Sequence, residues 1–162
     1  MAQPNDDKSP PEPQAARAAA VALLARRDWG TVKLCERLEE KGFDTETVRR
    51  VLGELAAEGI VNDARFAQNR VAYQAERGHG PQRIRAQLRT LGLPPEVIDE
   101  ALQSGPDWHA LARSARARKF GPQVPQAWAL KARQARFLQY RGFSADHIRS
   151  ALGPDLDSET AP

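Results

Sequence analysis

Apolar residues along this chain fall into columns that repeat every 50 residues. Four such columns surround one column of glycine. Their members are Leu38, Leu88 and Leu138; Gly42, Gly92 and Gly142; Phe43, Leu93 and Phe143; Val48, Ile98 and Ile148; and Leu52, Leu102 and Leu152. Matches at one fixed period over all these columns indicate an internal repeat, so we predict three copies of one structural unit.

The spacing within each copy is that of amphipathic helices. Apolar residues recur three and four positions apart, and no run of β-branched residues alternates with polar ones as it would in a half-buried strand. The chain is therefore predicted to be all-α, with three tandem three-helix repeats that resemble helix-turn-helix units. The predicted helices cover residues 16–27, 32–41, 45–58, 64–77, 82–90, 95–103, 107–120, 126–141 and 145–152.

Composition separates this repeat region from the two ends of the chain. Residues 1–14 contain four prolines and few apolar side chains, and residues 154–162 are acidic. Neither end can bury enough apolar surface to offset the entropy of ordering, so we expect a disordered tail over each. The predicted repeats between them cover residues 15–61, 62–104 and 105–153.

The glycine column is predicted to be structural. Each glycine lies at or near the end of a predicted helix, where chains often turn through a left-handed conformation that costs a residue with a Cβ about 1 kcal/mol. The apolar residues on either side can then close a contact across the turn. Thr31, Asp44 and Ser144 are predicted N-caps of neighbouring helices, because their side-chain oxygens can accept hydrogen bonds from free backbone donors.

Charge is distributed unevenly, although the net charge is only +3. Residues 36–63 carry eight acids and four bases, whereas residues 64–89 carry six arginines and one acid. Residues 108–145 contain eight bases and no acid. Ordinary surfaces mix both signs, so this acid-free span predicts a polyanion or an acidic protein surface as partner. A solvated helix face without a ligand is the alternative.

Other candidate chemistry is weak. His79, His109 and His147 have no Cys or carboxylate at metal-ligand spacing, so no metal site is predicted. The segment GHGP at 78–81 lacks the strand and lysine of a phosphate loop, and no nucleophile motif is present. Adjacent carboxylates on a helix point in different directions and cannot cooperate. We therefore predict no enzymatic activity and no cofactor.

The remaining signals concern compartment and packing. Cys35 is the only cysteine, which is typical of a reducing compartment such as the cytoplasm. The apolar run at 18–25 is far shorter than the roughly 20 residues of a spanning helix, so no membrane association is expected. The three tryptophans could stack on bases, but core or seam positions are more common for this residue in small helical proteins. They are Trp29, Trp108 and Trp128.

Three motifs resemble a known family. GIVNDARFAQNRV at 59–71, ERGHGPQRIRAQLRTLGL at 76–93 and KARQARFLQYRGFSADHIRSAL at 131–152 resemble, in order and spacing, the RecX family of RecA regulators. The segment LLARRDWGTVKLCERLEEKGF at 23–43 is also similar, so the resemblance spans about residues 16–152. Two positions depart from the pattern. His79 stands where the family often has an aromatic residue, and Gln134 interrupts the apolar column of Leu34 and Ile84.

The resemblance implies an elongated, curved, non-enzymatic protein that binds the RecA filament on DNA. Similar proteins limit strand exchange, ATP hydrolysis and co-protease activity by RecA in DNA repair and the SOS response. We expect a cytoplasmic monomer whose basic face meets acidic RecA surface or the DNA phosphates directly. The predicted contact residues are Arg70, Arg77, Arg83, Arg85, Arg113, Arg116, Lys131, Arg133 and Arg136.

Two other functions fit parts of the pattern. A tight glycine turn between short helices also occurs in helix-turn-helix proteins that bind DNA directly, although no helix here combines base-reading Asn or Gln with flanking arginines. A helical-repeat scaffold with an acidic partner is the other alternative. Dependence on RecA would distinguish both from a filament regulator.

Overall fold

The computed structural model describes residues 12–154, and all nine regular elements in this range are α-helices. They are α1 (Glu12–Arg26), α2 (Thr31–Glu40), α3 (Thr45–Ala57), α4 (Asp63–Glu76), α5 (Pro81–Thr90), α6 (Pro95–Gln103), α7 (Trp108–Phe120), α8 (Trp128–Arg141) and α9 (Ala145–Leu152). The predicted all-α repeat fold is confirmed. The chain divides after Asp63 into two compact units.

Helix α1 begins earlier than the sequence pattern predicted. Its first residue is Glu12, so the last three residues of the predicted 1–14 tail are helical. Pro13 does not prevent this, because the donor that proline lacks would be unpaired in a first helical turn anyway. The Glu12 carboxylate also accepts a hydrogen bond from the Asp44 backbone N–H at 2.9 Å. Residues 1–11 and 155–162 of the two predicted tails lie outside the described residues.

The first unit has its own apolar core between α1, α2 and α3. Leu34, Leu38 and Leu55 are completely buried there. Each buried side chain of this size contributes roughly 1.5–3 kcal/mol to folding, so these positions dominate the stability of the unit. The exposed Arg17 guanidinium also forms two hydrogen bonds to the Glu58 carboxylate, at 3.0 and 2.7 Å. An exposed pair of this kind adds little by comparison.

The second unit contains two apolar clusters. Ile84, Leu88 and Ile98 are completely buried in the cluster formed by α4, α5 and α6 together with Trp108 at the start of α7. Leu138 and Phe143 are buried in the cluster formed by α7, α8 and α9, in which α9 packs against both other helices. The apolar columns read from the sequence therefore form the cores of the three helix triplets.

The glycine column ends α2, α5 and α8 as predicted. The backbone φ angles of Gly42, Gly92 and Gly142 are +96°, +80° and +97°. At the last of these turns, the Phe143 N–H donates to the Leu138 carbonyl at 3.1 Å. This bond is typical of a Schellman motif, and the Leu138 and Phe143 side chains lie in the same apolar cluster. The repeated stretch therefore ends the helix and closes its end with an apolar contact.

Two of the three predicted N-caps are confirmed. The Asp44 carboxylate accepts from two backbone donors at the start of α3, and the Ser144 hydroxyl accepts from the His147 N–H at 3.3 Å. The prediction for Thr31 is wrong, because Gly30 is the cap residue and Thr31 is already helical. The carboxylate of Asp63 instead accepts from the Thr31 N–H at 2.8 Å, so a residue distant in sequence takes over the capping role.

Candidate partner-binding surface

All nine predicted contact residues lie in the second unit, on α4, α5, α7 and α8 or directly after α4. Five of them are exposed, and their guanidinium donors face solvent where a carboxylate or phosphate can reach them. The exposed five are Arg70, Arg77, Arg113, Arg133 and Arg136, while Arg83 and Arg85 are half-buried. Most of the predicted set is therefore accessible to a partner.

Two residues of the predicted set are buried. Arg116 is only 4% exposed, and its guanidinium donates to the carbonyls of Pro122 and Gln123 at 3.0 and 3.1 Å. It also donates to the Gln134 side-chain oxygen at 3.3 Å, so the polar departure at 134 is the partner of a buried arginine. Lys131 is 8% exposed. The acid-free span, and for Arg116 helical spacing as well, placed these residues on the basic face, but packing turned both inward.

Arg85 is engaged within its own helix triplet. Its guanidinium forms an ion pair with the Asp99 carboxylate on α6. A carboxylate from a partner would have to compete with this internal one. Arg85 is therefore a weaker candidate contact than the exposed arginines.

Three bases outside the predicted set converge with Arg77 at one pocket. They are Arg118, Lys119 and Arg141. Arg118 and Lys119 lie in the last turn of α7, Arg141 ends α8, and Arg77 follows α4, so the pocket is built from three helix ends. Among residues 12–154, no carboxylate forms an ion pair with any of these four bases. The acid-free span contained three of them, but nothing in the sequence placed them beside Arg77.

Backbone contacts between the second and third helix triplets fix this arrangement. The Gly80 N–H donates to the Arg141 carbonyl at 2.8 Å, and the Gln82 N–H donates to the Gly142 carbonyl at 3.0 Å. A Cβ on Gly80 would lie 2.4 Å from the Gly142 carbonyl carbon. The two turns can therefore approach this closely only because both residues are glycine. We call this contact the glycine seam.

Two exposed tyrosines lie beside arginines near the glycine seam. Tyr140 is 80% exposed, and the Arg83 guanidinium carbon is 5.8 Å from its ring centroid. Tyr73 is 52% exposed, and the Arg77 guanidinium carbon is 5.5 Å from its ring centroid. Aromatic rings paired with arginine in this way stack on nucleic-acid bases and on other planar groups.

His79 occupies a positively charged environment within the seam. Burial lowers the pKa of its imidazole first, and the neighbouring Arg83, Arg141 and Arg77 guanidinium groups lower it further. Its Nδ1 is buried and has no hydrogen-bond partner within the part of the chain that the structure describes. The neutral form of the imidazole is therefore favoured over the protonated form.

The tryptophans divide between core and surface. Trp29 and Trp108 pack partly buried against apolar clusters, and each donates its indole N–H to a backbone carbonyl, at 3.3 and 3.2 Å. Trp128 is 62% exposed at the start of α8, so the prediction of a buried position is wrong for this residue. The preceding connection of residues 121–127 does not cover it.

Neither a metal centre nor a membrane span emerges from the described residues. Residues 12–154 contain no group of three or more His, Cys, Asp or Glu side chains placed to hold a metal ion. No helix in that range is long and apolar enough to cross a bilayer.

Comparisons with known proteins match this architecture. Models of the RecX second and third three-helix domains match residues 62–102 and 107–152. The regulatory protein RecX of Halorhodospira halophila is 44% identical over 151 residues, covering 92% of this chain and 94% of the relative. That of Ectopseudomonas mendocina is 44% identical over 141 residues, covering 86% of this chain and 94% of the relative.

Solved structures share the fold at lower identity. A crystal structure of RecX from Lactobacillus salivarius superposes with a TM-score of 0.78 at 17% identity, covering 90% of this chain and 97% of that one. A second, described as regulatory protein RecX, gives a TM-score of 0.72 at 20% identity, covering 86% of this chain and 71% of that one. With identities above 40% to curated relatives over nearly their whole length, the chain belongs to the RecX family of regulatory proteins.

Proposed function

We propose that this protein binds the RecA filament on DNA and inhibits the recombinase, ATPase and co-protease activities of RecA. The RecX family supports RecA as the partner. The observation that carries the binding surface is the concentration of exposed arginines on α7 and α8, which lie in a span from 108 to 145 that contains no acid, with Arg70 exposed on α4 as well. The proposal assigns the protein no chemistry of its own and places it in the cytoplasm as a monomer.

The proposed contacts are charge-assisted hydrogen bonds. An arginine guanidinium offers donors in a planar fork that matches both a carboxylate and a phosphate, so the same surface suits acidic RecA residues and filament DNA. Arg133 and Arg136 lie one helical turn apart on α8 and are both exposed, so they can engage one partner surface together.

The primary test measures DNA-dependent ATP hydrolysis by preassembled RecA filaments after addition of substoichiometric protein. A gel shift of the protein on DNA alone runs alongside. We expect hydrolysis to fall at concentrations too low to shift DNA. Unchanged hydrolysis together with a strong DNA shift would instead identify a direct DNA-binding protein.

A charge-reversal pair tests the surface itself. Arg133→Glu with Arg136→Glu should weaken inhibition at least about tenfold, because two attractive contacts become repulsive. Arg49→Glu with Arg50→Glu changes the net charge equally at an exposed pair on α3 and should leave inhibition within about twofold. Circular dichroism verifies unchanged helical content in both variants. Full inhibition by the α8 variant would remove these two residues from the contact surface.

A further inference from the structure

The pocket at the ends of α4, α7 and α8 contains charged side chains of one sign only. Its basic lining is Arg77, Arg118, Lys119 and Arg141, and its remaining walls are Gly78, Ala115 and Phe137. We propose that this pocket binds a phosphate group. The inference concerns the isolated protein and does not depend on the proposed action on RecA.

Pocket size restricts the ligand. The volume is about 160 Å³. This is below the roughly 300–1,000 Å³ of most small-molecule sites. A tetrahedral oxyanion with a few waters fits this space. A base and sugar would have to remain outside it.

Two of the guanidinium groups are already held in place. The Arg141 Nη1 donates to the Arg77 carbonyl at 3.3 Å, and its guanidinium carbon lies 5.1 Å from the Phe137 ring centroid. The Arg77 Nη1 donates to the Tyr73 hydroxyl at 3.4 Å. These neutral partners orient the groups without neutralising their charge. A phosphate therefore meets donors that lose little conformational entropy when they bind it.

The negative ends of the helix dipoles offset only part of the positive charge at this pocket. Bases are favourable at helix C-termini, where the macrodipole is equivalent to about half a negative charge. The three helix ends at this pocket supply roughly 1.5 negative charges in total, against four formal positive charges on the side chains. The excess, about 2.5 positive charges, is not matched by any ion pair to these bases among residues 12–154. An anion with one or two negative charges complements this excess.

The phosphate can come from a nucleic-acid strand or from free phosphate and polyphosphate, which share the same recognition chemistry. The surroundings favour the strand. Tyr73 is 52% exposed beside Arg77, and a base next to the bound phosphodiester could stack on its ring. The experiment therefore compares a short oligothymidylate with inorganic phosphate and tripolyphosphate.

We would record amide and imidazole NMR spectra of the full chain, without RecA, during titration with each probe at constant ionic strength. Bound phosphate should shift the Gly78 and His79 amide signals. It should also raise the pKa of the His79 imidazole, because an anion offsets the repulsion from Arg77 and Arg141. Because the ionic strength is held constant, general screening by salt stays the same during the titration and cannot cause this rise.

Matched variants distinguish the pocket from overall charge. Arg118→Glu with Lys119→Glu should weaken the binding of phosphate and tripolyphosphate at least about tenfold. The adjacent exposed bases of α3 provide the control, Arg49→Glu with Arg50→Glu, which should stay within about twofold. If reversal disturbs the amide spectrum beyond the pocket, Arg118→Gln with Lys119→Gln provides the same test with a smaller change of charge.

Each outcome leads to a defined conclusion. Pocket shifts with phosphate, tripolyphosphate and the oligothymidylate would support a phosphodiester site, whereas shifts with the free anions alone would support a site for free phosphate or polyphosphate. No shift at Gly78 and His79, or equal weakening by the α7 and α3 variants, would overturn the proposal. Because this titration contains no RecA, its result does not depend on the ATP hydrolysis assay. A negative result in that assay would leave the proposed phosphate site unaffected.

Discussion

The first and third helix triplets share a repeat but use it differently. Gly42 after α2 and Gly142 after α8 have nearly the same φ angles, +96° and +97°. A Cβ on Gly42 would meet nothing within 4 Å, whereas a Cβ on Gly142 would lie 2.4 Å from the Arg83 Cβ. The same sequence signal produces the same turn, and the turn at Gly142 also forms a seam with the preceding helix triplet of its own unit.

The core columns show a second difference between these triplets. Ala16 and Leu34 are completely buried apolar residues in the first triplet. At the same repeat positions, 100 residues later, the third triplet has the buried polar pair Arg116 and Gln134. Replacing apolar contacts by these polar ones lets the third triplet hold the long connection of residues 121–127, through the carbonyls that the Arg116 Nη atoms bind. One repeat thus tolerates two kinds of core.

The largest expected effect comes from breaking this polar core. Arg116→Ala should lower the free energy of unfolding by about 4 kcal/mol, because it removes the donor from three partly buried carbonyls and from the buried Gln134 side-chain oxygen and opens a cavity. Urea unfolding followed by circular dichroism measures the loss. The exposed Arg113→Ala on the same helix is the control and should change stability by less than about 0.5 kcal/mol. Equal effects at the two sites would contradict the structural role of Arg116.

The next effect compares the two glycine turns directly. Gly142→Ala should cost about 3 kcal/mol, since left-handed strain adds to a collision with Arg83, whereas Gly42→Ala should cost only the strain of about 1 kcal/mol. Urea midpoints of the two variants provide the measurement. Similar losses would show that the seam yields easily to an added methyl group.

Gly80 isolates the packing contribution at the same seam. Its φ angle is −83°, which any residue adopts, so alanine here adds no backbone strain. The added Cβ would nevertheless meet the Gly142 backbone at 2.4 Å, and we expect a loss of about 2 kcal/mol in the free energy of unfolding. Thermal unfolding of the variant would measure it. A stability equal to that of the original chain would mean that the two turns separate without cost.

The smallest effect concerns the helix caps, and it depends on pH. Burial and the neighbouring His109 lower the pKa of His147 below its ordinary value of 6.5. Neutral His147 also accepts a hydrogen bond from the Ser144 N–H at 3.2 Å, completing the capping box of α9. Since the folded-state pKa is depressed, the stabilisation is complete above pH 6.5 and is lost as the pH falls through the folded-state value.

The matching variant is His147→Gln, which keeps a capping-box acceptor but does not titrate. Urea midpoints at pH 7.5 and pH 5 should differ less for this variant than for the original chain. His79, whose pKa is also lowered, is present in both proteins, so the comparison isolates His147. The Asp44 cap of α3 contains no imidazole and should not contribute to the difference. An unchanged pH response would contradict the role of the α9 cap.

Sequence reasoning recovered most of the fold because its signals are local. The Schellman turns, the apolar columns and the caps at Asp44 and Ser144 depend on residues within about six positions of one another, and the structure confirms them. The cap at Thr31 failed because its acceptor, Asp63, lies 32 positions away. Trp128 failed because its exposure depends on how the long connection before α8 runs.

The same reasoning predicted less of the binding surface than of the fold. Charge counts identified the acid-free span, which contains Arg118, Lys119 and Arg141, but helical spacing cannot show which neighbours come from other helices. It also cannot show that Arg116 points into the protein, since a helix face is buried or exposed only with respect to what packs on it. The contact roles of the predicted arginines remain predictions.

By itself, the sequence determined three helix triplets, their apolar cores, their glycine turns and an excess of base in the second half. Periodicity and turn chemistry carry this information, because they act between residues close in the chain. Only the tertiary structure decided that Gly80 meets Gly142, that Arg116 is buried against Gln134 and that Arg77 joins three bases from α7 and α8 in one pocket. These contacts join residues 18 to 64 positions apart, and they form only where different helices and turns pack together.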